Sequence, residues 1–222
     1  MDFEAWEGYY RQILSEFGFQ QEEDERSAKV LAKLLLEKGL ASSDDLRILI
    51  HKKDVMVVGG ASNLNLDFQE DTSTDVVIAA DGATSALLAR GIVPDIIVTD
   101  LDGTIEDQVL ANRRRSIVLI HAHGDNIPQI TAWTPKFEGK VMGTVQCRPH
   151  GILHNFGGFT DGDRGVFLAH HFGANSIQLM GFDFEDVGEK PNCDRKTKLR
   201  KLAWAKKLIS ILGVPVKSQF PK

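Results

Sequence analysis

Ile96-Ile97-Val98-Thr99-Asp100-Leu101-Asp102-Gly103 reads as a short strand that ends on two carboxylates. Its first four residues are apolar or β-branched without alternation, the pattern of a strand covered on both faces. The same texture recurs on either side. Val55 to Val58, Val76 to Ala80, Ile117 to Ile120, Lys140 to Val145 and Ile177 to Met180 are similar runs bounded by Gly, Asp and Asn, and they predict further strands. Between them, Ala83 to Arg90, Ile127 to Trp133, Arg164 to Phe172 and Lys196 to Leu212 predict helices. Strand followed by helix, repeated, defines an α/β fold with a mostly parallel, doubly wound, Rossmann-like sheet.

The chain before this region has a different texture. Ala28 to Lys38 places apolar groups at helical intervals with Gly39 as a C-cap, and a second helix begins at Ser42-Ser43-Asp44-Asp45, where a serine caps and the acids meet the positive end of the dipole. The expected organisation is a helical appendage over residues 1–53 and a Rossmann-like domain over residues 54–222.

Composition narrows the partners. With 222 residues, 42% hydrophobic and 26% charged, the chain can bury a full core, and disorder is excluded. A net charge of −5 supplies no global field for nucleic acid, so Arg113-Arg114-Arg115 and the basic stretch from Arg195 to Lys207 read as solvated helix faces. No apolar run approaches the length of a membrane span, and Met1-Asp2-Phe3-Glu4 does not resemble a secretory signal. Cys147 and Cys193 have no Cys-x-x-Cys partner, as expected in a reducing compartment. A cytoplasmic protein without nucleic-acid or membrane partners is the expectation, and a homo-oligomer stays open.

Ligands of an open parallel sheet gather at the carboxyl ends of its strands, so the residues after each run carry the chemistry. The first run is followed by Gly59-Gly60-Ala61-Ser62-Asn63, which reads either as a phosphate-side loop of backbone donors or as a plain turn. Asp81-Gly82 follows the second run, Asp100 and Asp102 the third, and His121-Ala122-His123-Gly124-Asp125-Asn126 the fourth. Any one of these aspartates alone reads as a helix cap. As a set delivered to one edge they call for a countercharge, by default Mg²⁺, on Asp81, Asp100, Asp102 and Asp125. The His-x-His pair invites a zinc reading but has no third ligand at a telling distance. His123 is therefore taken as a polar or acid–base group and His121 as structural. Gly157 to Gly165 reads either as a ligand loop in which Arg164 pairs with a phosphate or as an ordinary loop with Asp161 or Asp163 capping the next helix. Walker A, nucleophile-elbow and dinucleotide-binding motifs are absent. Carboxylate-held metal without an obvious nucleophile points to phosphoryl or diphosphoryl transfer.

The stretch from Ala80-Asp81-Gly82-Ala83 through Pro94-Asp95 to Asp100-Leu101-Asp102-Gly103 resembles the core motif of the thiamine pyrophosphokinase superfamily. Thr99 and Gly103 replace that family's Gly and Ser, and too few residues follow the last helix for its C-terminal sandwich. Together with residues 121–126, 159–164 and 181–184, the variant resembles the archaeal 6-hydroxymethyl-7,8-dihydropterin pyrophosphokinases. That resemblance implies Mg²⁺-dependent transfer of diphosphate from ATP to a reduced pterin in tetrahydromethanopterin or folate-type cofactor synthesis. By position it implies that Asp81, Asp100, Asp102 and Asp125 surround metal and phosphates, with Gly59, Gly60, Ser62, Asn63, Gly82 and Arg164 on the nucleotide side and His123 or a carboxylate as base. A thiamine pyrophosphokinase-like enzyme, a flagellin-glycosylation-type transferase and a non-catalytic nucleotide-binding module are the alternatives.

Overall fold

The structure, a computed structural model, describes residues 1–61, 74–187, 194–213 and 217–218, and counts and absences given for the fold refer to these. Three helices lead: α1 (Phe3–Phe17), α2 (Gln21–Leu35) and α3 (Ser43–Ile50). Then follow β1 (Asp54–Val58), β2 (Val76–Ala80), α4 (Ala83–Leu88), β3 (Ile96–Thr99), α5 (Ile105–Arg113), β4 (Ile117–Ala122), α6 (Ile127–Trp133), β5 (Val141–Val145), β6 (Leu153–His154), α7 (Asp161–His171), β7 (Ser176–Met180), α8 (Arg195–Ile211) and β8 (Lys217–Ser218). Every strand pairing is parallel, in the order β6-β5-β4-β3-β2-β1-β7-β8. The chain steps outward from β1 to β6. Helix α7 then carries it back across the sheet to β7, on the other side of β1.

The continuous apolar runs have the cause inferred from them. Met56, Val58, Ala79, Ile97, Val118 and Ile120 face a core closed by residues of α1, α2, α4, α5 and α6. Their alternates Val55, Val57, Ile78, Ile96, Val98 and Leu119 face a second core with α3 and α7. Successive side chains point to opposite faces, and here both faces are covered.

The leading helices join this packing. Trp6 is fully buried and its indole donates to the Gln146 carbonyl at 2.8 Å, while Ile13, Leu31 and Leu35 lie in the same core as the sheet. Each such aliphatic burial contributes about 1.5–3 kcal/mol. Helix α2 begins at Gln21, ahead of the expected Ala28, because Glu22, Glu23 and Asp24 suit its first turn, and it stops at Leu35, short of Gly39. Ser42 caps α3 as expected, in a reciprocal box with Asp45.

Helix α5 and strands β6 and β8 are among the elements that escaped the sequence pattern. Helix α5 buries Gln108 and Asn112 among its apolar residues, which hides its periodicity. Strands β6 and β8 are two residues each, too short to make a run.

Candidate active site

The loops after β2 and β3 are built on unusual backbone. Asp81 (φ 42°) and Leu101 (φ 68°) both take left-handed conformations that cost a non-glycine residue energy. Leu101 is buried, so the strain anchors its side chain in the core while Asp100 and Asp102 on either side turn to the sheet edge. The Leu101 N–H is satisfied by Thr99 Oγ1 at 2.9 Å. Thr99 in turn donates to Asp81 Oδ1 at 2.6 Å, and Gln108 of α5 donates to the same oxygen at 2.8 Å.

Asp81, Asp100 and Asp161 converge. One carboxylate oxygen from each lies within 4.8 Å of the other two. Asp100 Oδ1 is buried without a hydrogen-bond partner. Three converging carboxylates, one of them with a buried oxygen that no protein donor satisfies, suit a hard divalent cation, so the donor set fits Mg²⁺.

Charge is unevenly shared in this cluster. Burial, the largest influence on Asp100, pushes its pKa up, but the hydrogen bond and charge of His123 prevail and hold it at about 2. Asp102 is exposed as a residue, yet its carboxyl crowds its neighbours. Lost hydration, then the charges of Asp100 and Asp81, push it up to about 7. Asp161 is raised well above the ordinary range by burial and by Asp100, against the pull of Arg164. Like charges held this close cannot all ionise without a cation.

His123 bridges two carboxylates, with Nε2 3.3 Å from Asp100 Oδ2 and Nδ1 2.7 Å from Asp125 Oδ1. Burial lowers its pKa, but the bonds to Asp100 and Asp125 outweigh that and raise it to about 9, so both nitrogens carry protons at neutral pH. Asp125 is 89% exposed at the side chain and stands on the far side of His123, outside the converging group.

Asp161 occupies the place at the cluster that the sequence reading gave to Asp125. It was expected at most to cap α7, but the cap is Thr160, in a box with Asp163. Asp163 accepts from the N–H groups of Phe159 and Thr160 at 2.6 and 2.7 Å, which frees Asp161 at the first helical position to face the edge. Arg164 is buried and pairs with Asp161 at 3.1 Å. The glycine loop after β1 is partly committed to the sheet: Gly59 N–H donates to Met180 O and Ala61 N–H to Gly181 O. A Cβ on Gly59 would stand 2.6 Å from Gly181 O. Gly60 faces open space and Gly82 caps α4, while Ser62 and Asn63 lie outside the described residues.

The leading helices reach this edge through a residue that sequence reasoning missed. Buried Asp24 of α2 accepts from Gly124 N–H at 2.8 Å, from Gln146 Nε2 at 2.9 Å and from Tyr10 Oη at 2.7 Å. Ser27 donates to Asn126 Oδ1, and Asn126 donates to the carbonyls of Asp100 and His121. The loop holding His123 and Asp125 is thus pinned from α2. An acid three residues into a helix reads as dipole chemistry, so no sequence signal marked this role.

Fold and site define a class: a parallel α/β protein with a carboxylate cluster suited to a cation at the carboxyl edge of its sheet. Comparison with known proteins makes the class particular. Residues 35–189 match the family model described as 6-hydroxymethylpterin diphosphokinase MptE-like, and the chain belongs to that family. It is 42% identical over 96% of its length to the 6-hydroxymethyl-7,8-dihydropterin pyrophosphokinase of Methanothermobacter thermautotrophicus, covering 95% of that protein. It is also 42% identical to the enzyme of that name from Pyrococcus furiosus, over 96% of this chain and 94% of that one. With the Methanocaldococcus jannaschii enzyme of the same name it shares 36% identity over the whole of both chains. No described helix is long and apolar enough to cross a membrane.

Proposed function

We propose that this chain transfers diphosphate from ATP to the hydroxymethyl group of 6-hydroxymethyl-7,8-dihydropterin, in the synthesis of a pterin cofactor. Family membership supports the substrate pair. The observation that carries the chemistry is the convergence of Asp81, Asp100 and Asp161, with Asp100 Oδ1 buried and unpartnered. Asp81, Asp100 and Asp161 would hold Mg²⁺ there, and the ion would supply positive charge against the phosphates of ATP.

The chain's own groups have separate tasks. Asp81 is fixed by Thr99 and Gln108, and Asp161 by Arg164, so two of the ligands are pre-positioned. His123, held between Asp100 and Asp125, balances the charge of Asp100 and orients it. The substrate hydroxyl attacks the β-phosphorus, the bond from that phosphorus to the α,β-bridging oxygen breaks, and AMP leaves. The hydroxyl proton passes to a carboxylate, for which Asp102 is the most accessible of Asp81, Asp100, Asp102 and Asp161.

Asn substitution at Asp100 or Asp161 tests this reading. AMP release should fall at least a hundredfold, about 3 kcal/mol of transition-state stabilisation, while the circular dichroism spectrum is unchanged. Activity retained in both variants would sink the assignment.

A further inference from the structure

Beneath the acidic cluster, between the sheet and α7, lies a small cavity lined among others by His121, Thr144, Phe156, Arg164 and Leu168. It offers about 10 Å³ to the centre of a water-sized sphere. That is room for one water molecule and too little for an anion such as phosphate.

Two residues of this lining carry a buried nitrogen that has no partner: His121 Nε2, on a residue 1% exposed, and Arg164 Nε, on a residue 8% exposed. Their polarity can be assigned. Thr144 Oγ1 donates its single proton to the Ile120 carbonyl at 3.3 Å, so it can only accept from His121 Nδ1, 3.1 Å away. The proton of His121 is therefore on Nδ1, and Nε2 is left with a free lone pair. Arg164 Nε presents an N–H. A donor and an acceptor on one water-sized space are the two complementary contacts that an internal water requires.

We propose that one water molecule is bound in this cavity, accepting from Arg164 Nε and donating to His121 Nε2, and that through it His121 positions the guanidinium that pairs with Asp161. The positioning half rests on the cation reading of the acidic site; the water does not. The remaining Arg164 contacts, Nη1 to Asp161 Oδ1 at 3.1 Å and Nη2 to Gln146 Oε1 at 3.5 Å, leave the Nε edge as the one unrestrained part of the fork. His121 is then a positioning residue, two places from His123 but with a different task.

A high-resolution crystal structure tests the water directly. The expected result is one ordered density within hydrogen-bond distance of both nitrogens. An empty cavity, or a direct bond between His121 and Arg164, would overturn the proposal. Nitrogen-15 NMR of the His121 ring should show Nδ1 protonated and Nε2 bare; a proton on Nε2 would overturn it equally.

For the positioning role, Mn²⁺ binding is compared in His121→Asn and His121→Gln. The Asn amide can still donate to Thr144 but does not reach the cavity, and Mn²⁺ affinity should fall about tenfold, as when an outer partner of a metal ligand is removed. The longer Gln places an amide oxygen near the position of Nε2, and affinity should stay within about twofold of the parent protein, on the same reasoning. Equal losses in the two variants, or none, would overturn the positioning role. A parent protein that binds no Mn²⁺ would overturn that role together with the cation reading, while the density in the cavity still decides the water.

Discussion

Thr99 Oγ1 donates to Asp81 Oδ1 at 2.6 Å, across the gap between the ends of β3 and β2. Gly103 lies against the other oxygen of the same carboxylate, so that a Cβ at 103 would collide with Asp81 Oδ2. Positions 99 and 103 are the two at which the motif departs from the thiamine pyrophosphokinase pattern. Both departures therefore converge on the placement of one aspartate.

Thr99→Val removes the donor while keeping the strand's shape. It should lower kcat ten- to a hundredfold, a loss of about 1.4–2.8 kcal/mol, and weaken Mn²⁺ binding, whereas Thr99→Ser restores both. Steady-state kinetics with a parallel Mn²⁺ titration checks this; a Val variant of full activity would show that Asp81 is held without Thr99.

Gly103→Ser brings in the side chain of the thiamine motif and pushes on Asp81. The expected outcome is a loss of activity larger than any change in thermal midpoint, because the residue is exposed and the collision is with a site carboxylate. Equal activity to the parent protein would mean that Asp81 yields freely.

Much of this arrangement was legible in the sequence, and its limits have physical reasons. The parallel sheet followed from runs with no alternation, since both faces of β1 to β4 are covered. Asp81 and Asp100 stand directly after such runs, which is why their convergence at one edge could be read in advance. Asp161 or Asp163 was read as a cap because an acid at a helix start usually is one; Asp163 joins Thr160 in the cap, and that Asp161 meets Asp81 and Asp100 depends on tertiary geometry. Asp125 was read as a ligand by its position after β4, but the turn aims it at His123 and solvent. Asp24 and Gln108 act across the fold on loops about 100 and 27 residues away in sequence, a relation that no local pattern records.

Asp24→Ala should destabilise the protein by about 1–3 kcal/mol, since it leaves the Gly124 N–H and the Gln146 amide buried without their acceptor. Urea denaturation measures this. Activity should fall further than stability, because the loop that carries His123 loses its anchor.

The His123 pair makes stability depend on pH in the cation-free protein. The folded pKa, about 9, lies above the ordinary 6.5, so the stabilising contribution is fully present below about pH 6.5 and is lost as the pH rises through about 9. Thermal midpoints in EDTA should therefore decline across that window in the parent protein and not in His123→Gln. Parallel curves for the two would show that the histidine is not held as its charged form.

The central claim is that attack falls on the β-phosphorus, and the nucleotide product reports it. With ATP, Mg²⁺ and 6-hydroxymethyl-7,8-dihydropterin, phosphorus-31 NMR should show AMP and pterin diphosphate forming in equal amounts, with no turnover when the pterin is left out. Formation of ADP in place of AMP, or ATP consumption indifferent to the pterin, would contradict it.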